Sequence, residues 1–113
     1  MNPSELQFLM TSAWLFRRHG QPARARNVCA ALVEDDPHDG VSAAAYAELL
    51  LDAGEAETAL EVLRAADFPP DLLHAEAVLE ARALRATGKP REAAARWRRH
   101  LESRKGNARK WVG

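Results

Sequence analysis

Gly20-Gln21-Pro22-Ala23, Gly54-Glu55-Ala56-Glu57 and Gly88-Lys89-Pro90-Arg91 follow one another at intervals of 34 residues. Each opens a short turn, and the residues on both sides keep the same period. Five positions on come Ala25, Ala59 and Ala93; seven before stand Ala13, Ala47 and Ala81; four before stand Phe16, Leu50 and Leu84. Beyond the alanine, Cys29, Leu63 and Trp97 are again in phase. A shared period across these columns is the signature of a repeated helix-turn-helix unit. Glycine ends a helix with φ > 0 at no steric cost, and Pro22 and Pro90 stand where a new helix starts without needing an N–H. The alanine column lets two antiparallel helices approach, and the Cys/Leu/Trp column fills the space beside it. The expected fold is all-α, an α-solenoid of six helices in one domain, residues 1–113.

These columns resemble the tetratricopeptide repeat over about residues 4–104, in three units of about 4–37, 38–70 and 71–104. The resemblance is incomplete. The column that usually opens with tryptophan reads Leu9, Ala43, Ala77, and the closing proline stands at Pro37, comes one residue early at Pro70 and is missing from the third unit.

Composition narrows the class. The formal net charge is zero, which does not favour a general polyanion binder. One cysteine excludes an internal disulfide and points to a reducing, cytoplasmic setting. Cys29 falls in a packing column and reads as a buried spacer. No apolar run approaches the roughly 18 residues of a membrane span, and Met1-Asn2-Pro3-Ser4-Glu5 lacks the basic and apolar regions of a signal peptide. Charge is uneven: residues 34–76 hold twelve acids and one base, whereas 89–110 hold nine bases and two acids. Solvated helix faces of opposite sign account for that pattern.

Along the chain, Asn2 caps a first helix that runs to about His19, with Glu5 reaching back. Its apolar residues fall on three faces: Leu6, Leu9, Ala13 and Phe16 pack within the repeat, Met10 and Trp14 form a second face, and Phe8 and Leu15 a third. An end helix of an isolated solenoid is expected to keep its outer side polar; this one calls for a cover. Further helices are expected over about 22–35, 41–53, 56–66, 72–87 (capped by Asp71) and 90–104. Phe68-Pro69-Pro70 reads as a stiff connector, and 105–113 as a mobile tail in which Trp111 docks at most locally.

No phosphate loop, nucleophile motif or ordered calcium loop is present, so no enzyme, cofactor or metal site is expected. The four histidines are spaced too widely for a helical metal pair and read as surface or helix-end residues. Arginines beside Trp97 and Trp111 suggest nucleic acid, but the neutral overall charge and the packing column of Trp97 argue against it.

A binding surface remains. First helices of stacked repeats line a concave face, and the positions in phase are Met10, Trp14 and Arg17, then Ala44, Glu48 and Leu51, then Val78, Arg82 and Arg85, with Leu79 alongside. Such a groove suits an amphipathic helix or an apolar extended segment. Phe8 and Leu15 form a secondary patch. Repeats that clamp the acidic tail of a heat-shock chaperone carry lysine and asparagine where this chain has Met10, Trp14, Ala45, Ala75 and Leu79, so that use is not expected.

Gln7-Phe8-Leu9-Met10, Ala13-Trp14-Leu15, Ala31-Leu32 before Pro37, and Gly88-Lys89-Pro90-Arg91-Glu92-Ala93 through His100-Leu101-Glu102 resemble a narrower group, the small tetratricopeptide chaperones of bacterial type III secretion, nearest the Y-type export-apparatus chaperone. The resemblance implies a bacterial cytoplasmic protein, peripheral at the inner membrane through the secretion apparatus. It implies a small secreted X-type client, bound as a heterodimer or larger complex, and an export-gate component as the next partner. A needle-subunit or translocator chaperone, and a generic scaffold joining two folded proteins, stay open as alternatives.

Overall fold

A computed structural model describes residues 2–112, with side chains for 2–106. The elements are α1 (Pro3–Arg18), α2 (Pro22–Asp35), α3 (Gly40–Asp52), α4 (Ala56–Ala65), α5 (Leu73–Ala86), entered through a 3-10 turn at Pro70–Leu72, and α6 (Pro90–Val112). They form three antiparallel pairs stacked as a solenoid. Among the described residues there is no strand, only one isolated parallel bridge between Asp39 and Asp67.

The three turns share one hydrogen-bond scheme. Gly20, Gly54 and Gly88 have φ of 73°, 80° and 79°. The residue after each glycine donates its N–H back over the helix end: Gln21 to Phe16 O at 2.7 Å, Glu55 to Leu50 O at 2.8 Å, Lys89 to Leu84 O at 2.8 Å. Each glycine N–H reaches the next carbonyl, on Arg17, Leu51 and Arg85, which completes a Schellman end. The same Gln21, Glu55 and Lys89 then accept, through their carbonyls, the N–H groups of Ala25, Ala59 and Ala93 and so open the next helix. One residue closes one helix and starts another. The alanine and the Phe/Leu/Leu columns are therefore locked to the glycine.

Side chains from those columns build the core. Ala47, Leu50, Ala59, Leu63 and Leu79 form its centre. Ala13, Ala25, Cys29 and Leu49 join the first pair to the second, and Leu60, Ala83, Leu84 and Ala93 join the second to the third. Cys29 is fully buried, and burial pushes its thiol pKa up, which removes thiolate character.

Two details, the cap of α5 and the end of α6, differ from the sequence reading, and two more, at Leu101 and Gly40, are seen only in the structure. Asp71 sits inside the 3-10 turn and does not cap α5, whose N-cap position is Leu72 with no side-chain cap. Leu101 remains 38 % exposed and does not pack inward. α6 passes straight through Gly106 to Val112, where an end near 104 is expected; one interior glycine costs only about 1 kcal/mol against alanine, too little to stop a helix with no proline after it. The mobility expected of 105–113 and the docking of Trp111 bear on side chains beyond the described ones. The fourth detail is Gly40. A Cβ there would stand 2.6 Å from the Asp67 carbonyl, because the connector crosses the start of α3 and Asp67 N–H donates to His38 O at 2.9 Å.

Candidate functional site

The capping box at Asn2 sets where α1 begins: its side chain accepts from Glu5 N–H at 2.8 Å, and the Glu5 carboxylate accepts from Asn2 N–H at 3.4 Å. That start fixes the helical phase that turns Met10 and Trp14 toward α3. A pocket of about 150 Å³ lies there, lined by Met10, Trp14, Arg17, Ala45 and Glu48 over a floor of Ala13, Cys29 and Leu49. Trp14 is 56 % exposed, with the Arg18 guanidinium 5.2 Å from its ring centre. The core around Ala13 is closed by other side chains, so Trp14 is not spent on holding the repeat together.

Charges form a ladder from helix to helix across this face. Arg17 reaches Glu48 and Asp52, both at 2.9 Å, and Asp52 also lies 3.6 Å from Arg82. The Glu48 hydrogen bond is the foremost reason that the Arg17 pKa is raised. These groups are exposed, and each such pair contributes only about 0–1 kcal/mol. Asp52 was not among the expected residues, although it follows Glu48 by one helical turn and shares its face.

Val78, Arg82 and Arg85 line a separate cleft of about 470 Å³ between α5 and α6, together with Ala81, Ala94 and Trp97. The ten expected residues thus fall into two surface groups and an interior one. Met10, Trp14, Arg17 and Glu48 meet in the first pocket; Val78, Arg82 and Arg85 meet in the second cleft. Ala44 and Leu51 are half-buried against the core. Leu79 is only 7 % exposed and belongs to the central cluster with Leu50 and Leu63, so it is a packing residue and not part of the surface. Its position one residue past Val78 rotates it by about 100° off the concave face and under α4. Phe8, at 70 % exposure, and Leu15, at 42 %, lie on the outer face of α1.

Between α5 and α6 the histidines also depart from expectation. His100 is buried, and its Nε2 lies 3.1 Å from His74 Nδ1; both rings contact Trp97. Burial foremost, then the charges of His74, Arg104 and Arg96, hold the His100 pKa below its ordinary value. The pairing links residues 26 apart in sequence and so leaves no helical-spacing signal. Nearby, Arg96 spans Glu76 at 3.4 Å and Glu80 at 3.3 Å in a half-buried triad.

Comparison with known proteins agrees with this geometry at the level of the repeat. The family model described as Tetratricopeptide repeat matches residues 16–69, from the last turn of α1 to the connector after α4. No curated protein and no solved structure matches the chain. The matched span holds the Gly20 and Gly54 turns and the middle pair of helices, and it supports a tetratricopeptide-type protein, a class of non-enzymatic repeats that bind other proteins. No described helix is long and apolar enough to cross a membrane.

Proposed function

We propose that this repeat protein binds one client segment on its concave side, and that it acts as a chaperone of bacterial type III secretion of the Y-type, holding a small secreted X-type partner for delivery to the export gate. The observation that carries the binding half is Trp14: a large aromatic, more than half exposed, over a pocket whose floor is already closed by Ala13, Cys29 and Leu49. Exposed apolar surface of that kind is a feature of recognition sites. An amphipathic helix or an apolar extended segment would bury the indole and the Met10 thioether, while the Arg17–Glu48–Asp52–Arg82 ladder would fix its orientation. The secretion assignment is supported by the resemblance of Gln7–Leu15 and Gly88–Glu102 to that chaperone group, beyond what the repeat itself requires.

The test couples two measurements on Trp14→Ala, helicity and affinity for a co-expressed X-type partner. Truncating a central interfacial tryptophan commonly costs about 2 kcal/mol or more, roughly a thirtyfold loss of affinity. Weakened binding with intact helicity supports the groove. Loss of helicity would make Trp14 a core residue, and unchanged affinity would move the client elsewhere, first to the outer patch at Phe8 and Leu15. A partner that is stable and soluble alone would favour a generic scaffold over a chaperone.

A further inference from the structure

The α5–α6 cleft lies at the end of the stack, and the two internal junctions show what belongs in such a place. At the first junction, α3 lies over the first pair: Ala45 and Leu49 pack against Ala13, Ala25 and Cys29, and Ser42 on the same helix is buried. At the second, α5 lies over the second pair, with Leu79 against Ala47, Ala59 and Leu63 and Ala83 against Leu60. Each antiparallel pair is thus roofed by the helix that follows. The third pair presents the same columns (Ala81 for Ala13 and Ala47, Ala93 for Ala25 and Ala59, Trp97 for Cys29 and Leu63), and among the described residues no helix lies over them.

The charges say what kind of helix fits. Arg85 stands two periods of 34 residues after Arg17, which holds two carboxylates of the incoming α3, Glu48 and Asp52, one turn apart. Among the described residues Arg85 makes no ion pair, and it shares the cleft with Arg82 and Arg98. A second copy of this chain is a poor occupant: its α1 would bring Trp14 and Arg18 to the positions of Glu48 and Asp52, placing Arg18 against Arg85. Like charges so placed oppose association.

We infer that the α5–α6 cleft is a second docking site, taking an amphipathic helix of a partner protein that carries two carboxylates four residues apart beside a stripe of small and leucine side chains. The helix would extend the solenoid by one more layer, its stripe over Val78, Ala81 and Trp97 and its carboxylates on Arg85 and a neighbouring arginine. The site is distinct from the Trp14 pocket, and it stands or falls independently of the secretion reading.

The probe is a fluorescent, hydrocarbon-stapled peptide of residues 39–53, with Ala43→Gln, Ala47→Gln and Leu50→Gln on the side that α4 covers in the intact protein. It keeps Ser42, Ala45, Leu49, Glu48 and Asp52. Titrated with the full chain, it is expected to bind saturably, and a version with Glu48→Lys and Asp52→Lys at least tenfold more weakly. Arg85→Glu in the protein should reverse that preference, and Ala94→Trp, which fills the cleft, should abolish binding of both; circular dichroism verifies that each variant stays folded. Equal affinity of the two peptides, or indifference to Arg85→Glu, overturns the proposal. So does peptide binding that is lost with Trp14→Ala and not with Ala94→Trp, since that puts the helix in the concave pocket. Concentration-dependent self-assembly in sedimentation velocity, removed alike by Phe8→Glu and Ala94→Trp, would assign the cleft to a second copy and overturn it equally.

Discussion

Two kinds of glycine carry the turns of this molecule, and they fail for different reasons when replaced. At Gly20, Gly54 and Gly88 a Cβ would meet nothing within 4 Å, so the whole cost of a side chain lies in the positive φ. A valine held there is strained by about 1–3 kcal/mol. Gly54→Val is expected to lower stability more than Gly88→Val, because the Gly54 turn joins the pair that has neighbours on both sides; chemical denaturation of the two variants compares them, and equal loss would show that turn position does not matter. Gly40 has ordinary φ and no room. Gly40→Ala must push the Asp67 carbonyl, 2.6 Å away, and the connector behind it, an overpacking cost of about 1–3 kcal/mol. In contrast, Gly106→Ala, in open space within α6, should stabilise by about 0.5–1 kcal/mol. A thermal melt of each distinguishes them, since the same substitution moves the midpoint in opposite directions.

At the scale of elements, the polar seam between α5 and α6 is where pH and charge act on stability. The His100 pKa is held below its ordinary 6.5, foremost by burial and then by His74, Arg104 and Arg96. The unfolded chain therefore binds this proton more readily than the folded one. Its contribution is fully present above pH 6.5 and is lost as pH falls through the lowered value. Stability is expected to drop between pH 7 and the range below 6, and His100→Leu, which restores the Leu32 type to this column of the repeat, should flatten the drop; an unchanged slope would remove His100 as the cause. The Glu76 pKa is raised, foremost by burial, with Glu80 adding to it and Arg96 opposing; that acts around the carboxylate range, below the histidine window. Arg96→Met would leave two half-buried carboxylates one turn apart without their cation. The expected loss is about 1–3 kcal/mol, read by denaturation at pH 7 and reduced when Glu76→Gln and Glu80→Gln are added.

For the whole molecule, the three stacked pairs have, among the described residues, no further helix over α1, over the α5–α6 cleft or on the concave side. Stability in such arrays is a sum over units and their junctions, so a partner that roofs an end or fills the groove adds a junction. A client present at a hundred times its dissociation constant raises stability by about 2.7 kcal/mol through mass action alone. The melting temperature is therefore expected to rise with saturating client, and a midpoint that does not move would count against native-state binding. The outer face of α1 makes the same point from the other end. Thr11 and Leu15 are the counterparts of Ala45 and Leu49, with which α3 covers the first pair, and Leu15 with Phe8 leaves that side of the first helix apolar and exposed.

The sequence by itself determined the repeat. Glycine, alanine and large apolar columns at one period state the helix pairs, because each column answers a local demand: a positive φ, a close helix approach, a filled gap. It also determined that Met10, Trp14 and Arg17 share a face, since helical phase follows from spacing. What only the tertiary structure decided is how faces from different helices meet. Period alone could not tell that α4 and α3 close over the face that Leu79 presents, that Asp52 ties Arg17 to Arg82, or that His74 finds His100. Nor could it separate the expected groove into a Trp14 pocket and a roofless α5–α6 cleft. Those outcomes depend on the rotation and offset between successive pairs. That rotation is set jointly by every side chain at the junction, and no single column of the repeat records it.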